Sequence, residues 1–211
     1  MGGRRRVADQ VRLELERRAD PAKAEPMRAY MKSAMPCLGV LAAGVREVCR
    51  AVHADSLDDI RDVWDGARFR EERYVAIGLS KDFIAVESLP LFEHMIVTGA
   101  WWDLVDTVAI HRVGPLLPGI RSTISKWSRS DHLWKRRTSI ICQIARKQET
   151  DVALLHECIE ANLADRDFFI RKAIGWALRS RSILAPDEVC AFADTHELSP
   201  LSRREALRRI A

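Results

Sequence analysis

The sequence is poor in the patterns that announce most kinds of chemistry. Its five cysteines, Cys37, Cys49, Cys142, Cys158 and Cys190, are scattered, with no C-x-x-C pair and no His/Cys cluster at zinc spacing. That excludes a disulfide framework or structural metal as the reading and leaves buried free thiols. The six histidines show neither H-x-x-x-H nor H-E-x-x-H spacing, no Cys or Ser has a paired-His signature, and no Gly-rich phosphate loop is present. Metal catalysis, nucleophilic catalysis and nucleotide binding therefore carry no signal, and no metal or cofactor is expected. No apolar run approaches the ~20 residues of a membrane span, and the start, MGGRRRVADQVRLELERRAD, has basic residues without an apolar h-region. A cytoplasmic protein with no membrane partner is expected. Period-two alternation is missing too, and Asp65-Gly66, the nearest hairpin candidate, follows a helical stretch, so strands are not expected.

What the sequence has is helical period nearly throughout. Val7, Val11 and Leu15 form one stripe; Val45, Val48, Cys49 and Val52 form another. Stops and starts come at Pro21 and Pro26, Pro36 with Gly39, Ser56 with Asp59 as a capping signal, Gly66, Pro90, Gly99, Gly114 with Pro115, Ser130 with Asp131, Asp165, Pro186 and Pro200. Segments of roughly 10–18 residues lie between them, giving about a dozen short antiparallel helices. Tryptophans at Trp64, Trp102, Trp134 and Trp176 recur about every forty residues, the period of two-helix HEAT or armadillo units. A chain of 211 residues, 47% hydrophobic and 30% charged, suits one substantial all-α domain. In solenoids of this kind, ligands lie on the concave face.

The formal charge of +4 matters less than its distribution. Acids dominate between Asp55 and Glu72, whereas from Arg121 to Lys147 eight basic residues face the single acid Asp131. A face edged with Arg and Lys suits a polyanionic cylinder. The stretch WWDLVD, Trp101 to Asp106, adds the opposite charge. On a helix, Trp102 and Asp106 project from one side, an indole face one turn from a carboxylate, a pairing that attracts a cation by about 0.5–2 kcal/mol from the ring alone. Taken singly, these residues have plainer readings. Tryptophans at helical spacing, Trp64, Trp127 and Trp134 among them, are core. An aspartate four residues after one is a solvated face or a salt-bridge partner, and paired arginines are surface charge.

Five stretches together resemble the AlkD-like DNA alkylation repair family of helical-repeat DNA glycosylases: MRAYMKSAMPCLGV, WWDLVD, LWKRR, FFIRKAIGWALR and LSPLSRREALRRI. The resemblance covers most of the chain from about Met27 onward. It implies a curved α-solenoid of HEAT-like antiparallel helix pairs whose concave face holds duplex DNA; a single glycosylase domain over 1–211 is expected, with residues 1–20 as a charged N-terminal helix, acting as a monomer. It implies removal of cationic N3- and N7-alkylated purines, with Asp106, Trp102 and Trp176 as catalytic residues and Arg137 holding a phosphate. Tyr30 matches a tyrosine near the family's cleft, and Lys126, Arg129, Lys135, Arg136, Arg171, Lys172 and Arg179 are candidate phosphate contacts. The family's aromatic FPFLGI pattern is here Met35 to Val40, MPCLGV, a departure expected to change packing among the N-terminal helices. The competing reading is a non-catalytic helical-repeat scaffold that binds nucleic acid or protein through the same basic surface. Arg4, Arg5 and Arg6 either touch DNA or solubilise the terminus.

Overall fold

The computed structural model describes residues 6–210, so Arg4 and Arg5 lie outside the described residues. Among those described, the secondary structure is helical with no strand, as expected. Packing groups the chain into two compact units, one running to Ile84 and the other from Ala85.

The N-terminal unit holds α1 (Val7–Glu16), α2 (Pro21–Met31), α3 (Ala42–Ala51), α4 (Leu57–Asp65) and α5 (Arg70–Leu79). The stripe Val7, Val11 and Leu15 is buried, and Val48, Ile60, Val63, Trp64 and Val75 complete this core. Ser56 and Asp59 form the expected capping box at the start of α4, each side chain accepting the other's backbone N–H. Pro26, by contrast, does not interrupt the chain but sits inside α2. It lacks the N–H that would reach Ala22, one lost bond in a helix that buries none of its residues. The turn before α3 is held by main-chain bonds. Glu71, fully buried on α5, accepts from the backbone N–H groups of Leu38, Gly39 and Val40 at 3.0, 2.9 and 3.1 Å. Gly39 has φ +82°, and a Cβ there would run into the Asp20 carbonyl.

The C-terminal unit holds α6 (Leu89–Gly99), α7 (Trp102–Val108), α8 (Leu117–Trp127), α9 (Leu133–Ile141), α10 (Val152–Glu160), α11 (Phe168–Arg181), α12 (Pro186–Thr195) and α13 (Pro200–Leu207). Pro186 and Pro200 occupy the first helical position, where a missing N–H costs nothing. α9 is the hub, packed against α6, α7, α8, α10 and α11. Its run Arg137 to Ile141 is buried without a break; of its polar residues Arg137 and Ser139 find partners inside the protein, while the Thr138 hydroxyl oxygen has none. Gly175 lets α11 and α13 approach closely, since a Cβ there would lie 2.9 Å from the Ser202 carbonyl oxygen. Cys142 and Cys158 are buried free thiols in this unit.

Two local features set α7. The left-handed residue that ends α6 is Ala100, at φ +41°, one position after Gly99. At its other end α7 widens into a π-helical turn, Ala109–Val113. Pro115 has no N–H to give the His111 carbonyl, which is taken by the Arg112 guanidinium at 2.9 Å.

Candidate active site

α7 and α9 bring Asp106 and Arg137 together. Arg137 Nε and Nη2 donate to the two Asp106 carboxylate oxygens at 2.7 Å each, a bidentate fork, and Nη1 donates to the Phe169 carbonyl at 2.6 Å. Arg137 is 5% exposed, and 13% of the Asp106 side chain reaches the surface. Burial pushes the Asp106 carboxyl above the ordinary aspartate range; the bonds and charge of Arg137 pull it back, and Asp103 nearby adds a small upward push. The guanidinium favours the ionised form. A fork to arginine occupies one lone pair on each oxygen and leaves the others available.

A pair taken this far out of water is poor value as a stability device, because desolvation of both ions offsets most of their attraction. Its surroundings are aromatic. Trp101, Trp134 and Phe169 form a cluster with centroids 5.1–6.3 Å apart, and the Arg137 guanidinium lies 5.9 Å from the Phe169 ring centroid. Phe168, 52% exposed, packs edge-on against Phe169. Trp102, half-buried, stands one turn from Asp106 on α7; Trp176, also half-buried, stands two turns beyond Phe169 on one side of α11. Trp64, Trp127 and Trp134 are core residues, as expected.

Sequence reasoning missed the aromatic cluster of Trp101, Trp134 and Phe169, which borders Arg137 through Phe169. The signal for two of them was the doublets Trp101-Trp102 and Phe168-Phe169 at helix starts, where one ring of each pair must turn inward.

The basic residues are more committed than the sequence suggested. Arg137, expected on a phosphate, instead directs its donors to Asp106 and a backbone carbonyl because it lies in the buried run of α9. Lys135 pairs with Glu93 and lies over the Trp127 ring, Arg129 pairs with Glu157, and Arg136 with Asp165. Lys172 and Arg179 both reach Glu205 on α13. Lys126 stands exposed, and Arg171 is half-buried. Tyr30, on α2 of the other unit, presents a ring 75% exposed. A cavity of about 330 Å³ lined by Ile140, Ile144, Leu155 and Leu184 takes in none of Trp102, Asp106, Arg137 or Trp176. Among the described residues no group of His, Cys, Asp and Glu could hold a metal ion, and no helix is long and apolar enough to cross a membrane.

A solved structure described as a predicted DNA alkylation repair enzyme from Enterococcus faecalis is similar to this chain at 28% identity and a TM-score of 0.82. The match covers 92% of this chain and 97% of that one. No curated protein matches the chain. The model of the family described as DNA alkylation repair enzyme matches residues 11–210, taking in both units and every residue of the Asp106 site. The chain belongs to the DNA alkylation repair enzyme family.

Proposed function

We propose that the protein is a monofunctional DNA glycosylase that hydrolyses the N-glycosidic bond of cationic alkylated purines, N3-methyladenine and N7-methylguanine, in duplex DNA. The observation that carries this reading is Asp106, a carboxylate forked by Arg137 at 2.7 Å, one turn from an indole and still reaching the surface. An N7-alkylated purine is already a cationic leaving group and needs no general acid. What remains is to stabilise the positive charge that develops on the sugar and to orient a water, and the available lone pairs of one fixed carboxylate suit both tasks. Trp102 and Trp176 are assigned to the deoxyribose, where their faces favour cationic character. Arg137 is assigned to holding Asp106 ionised and in place.

Gripping the backbone without enclosing the base would extend the substrate range to bulky N3 and N7 adducts. Lys126 and Arg171 are the first candidates for phosphate contacts. Arg129, Lys135, Lys172 and Arg179 would exchange a carboxylate partner for a phosphate, and Tyr30 offers an exposed ring to DNA. The chain is read as acting as a monomer in the cytoplasm.

A second reading, a non-catalytic scaffold for nucleic acid or protein, draws on the same fork, since a carboxylate paired on both oxygens is a structural element in many proteins. The test is release of free N7-methylguanine and N3-methyladenine from methylated duplex DNA by wild type and Asp106→Asn, with DNA binding measured for both. Release by wild type, reduced at least about tenfold in the variant with binding retained, assigns about 1.4 kcal/mol or more of transition-state stabilisation to the carboxylate. A folded wild type that binds DNA and releases neither base would sink the glycosylase reading for these lesions and favour the scaffold.

A further inference from the structure

Arg136 and Arg137 are neighbours on α9, and both reach the segment that opens α11. Arg136 Nη2 donates to Asp165 Oδ2 at 3.0 Å, while its Nη1 donates to the carbonyls of Ser130 and Asp131 at 2.8 and 3.1 Å, tying it to the turn before α9. The other oxygen of Asp165 accepts the backbone N–H of Asp167 at 2.8 Å. Asp167 caps α11, its carboxylate accepting the Phe169 N–H at 2.6 Å. The Phe169 carbonyl then receives Arg137 Nη1, and the rest of that guanidinium holds Asp106. The hydrogen bonds thus run without a gap from Arg136 through Asp165, Asp167 and Phe169 to Arg137 and Asp106.

We propose that Arg136 and Asp165 are positioning residues for Asp106, acting through the first turn of α11. The guanidinium that forks Asp106 rests its remaining edge on one carbonyl, that of Phe169. The carbonyl's place depends on how the turn from Asp165 to Phe169 is pinned to α9, and Arg136 with Asp165 is the pin. Arg136 and the Asp165 carboxylate are both largely buried, so the pair is screened less than a surface bridge. This assigns Arg136 to the architecture of the site, where its type and spacing had suggested a phosphate contact. Among the described residues, the charged groups that act on Asp106 are Arg137 from α9 and Asp103 from α7, so loosening Arg137 withdraws the cation of that pair. The expected effect on turnover rests on the glycosylase reading; the positioning does not.

The test therefore begins without DNA. The Asp106 carboxyl is followed by carbon NMR against pH in wild type, Asp165→Asn, Arg136→Gln, Arg136→Lys and the Arg136→Gln/Asp165→Asn double variant, with the resonance assigned by Asp106→Asn. Asparagine keeps an oxygen for the Asp167 N–H and loses both the charge and the acceptor toward Arg136. The expected result is an upward shift of about half a pH unit or more in Asp165→Asn and Arg136→Gln. The double variant should shift no further than either single, and Arg136→Lys should recover most of the wild-type value. On methylated duplex DNA, kcat should fall severalfold in both single variants with KM within about twofold of wild type. An unchanged Asp106 titration in folded variants overturns the proposal. So does a pattern in which Arg136→Gln raises KM and lowers the salt slope of DNA binding by about one contact while Asp165→Asn does neither, the signature of a phosphate contact. If Asp165→Asn does not fold, Arg136→Gln and Arg136→Lys decide the question. If wild type releases no base, the glycosylase reading fails and the titration still judges the positioning.

Discussion

Each unit of this protein withdraws a carboxylate from water, and the company the two keep separates structure from chemistry. Glu71 in the N-terminal unit is fully buried and accepts from the main-chain amides of Leu38, Gly39 and Val40. Its job is finished when the turn closes. Asp106 in the C-terminal unit takes its bonds from one side chain, keeps 13% of its own side chain at the surface and has an indole one turn away. Depth of burial alone would rank Glu71 as the more interesting residue. The kind of partner is the better guide, since backbone amides cannot move aside for a substrate, whereas a guanidinium can adjust to a changing charge.

The comparison is broken most directly by Glu71→Ala. Three amides would lose their acceptor, and stability should fall by about 3 kcal/mol or more, read as a shift in the denaturant midpoint, with base release per folded molecule unchanged. A loss under about 1 kcal/mol would mean that the turn holds itself. Next in size is Arg137→Gln. With its cation gone the Asp106 carboxyl should rise further, so release at neutral pH should drop by about tenfold or more, and the acid limb of the pH–rate profile should move to higher pH than in wild type. On the proposed glycosylase reading the working form is the ionised carboxylate, and activity is lost as pH falls through its pKa. For stability the sense is opposite, because a carboxyl raised on folding contributes below its unfolded value and loses that contribution as pH rises through the folded one. An acid limb of Arg137→Gln coincident with that of wild type would detach Arg137 from the carboxylate's chemistry. The smallest effect is expected at Ala100→Gly. Relief of a left-handed alanine, worth about 1–2 kcal/mol, set against about 0.4–1 kcal/mol for the looser unfolded chain, should stabilise by about 0–1.6 kcal/mol in a thermal melt.

Much of the fold was legible because it depends on signals a few residues long. The stripe Val7, Val11, Leu15, the Ser56–Asp59 box and the prolines opening α12 and α13 are local statements, and the structure agrees with them. Pro26 was misleading for a local reason too, since a short exposed helix accommodates one missing bond. Asp106 and Arg137 were each singled out from the sequence, but not as each other's partners. Arg136 with Asp165, Lys135 with Glu93, and Lys172 with Arg179 on Glu205 join distant positions, and packing, which no short window contains, decides which carboxylate each cation meets. A basic stretch therefore read as a row of phosphate contacts, when several of its members brace neighbouring helices.

The buried thiols of the C-terminal unit bear on survival in the conditions such a repair enzyme meets. Electrophiles that alkylate purines also attack sulfur, and they react with the thiolate far faster than with the thiol. Burial pushes Cys158 up to about 11 and Cys142 higher still, so at neutral pH neither offers an anion to such a reagent. Hydrophobic packing that looks like ordinary core filling thereby lets these two cysteines sit through an alkylating exposure chemically unmarked.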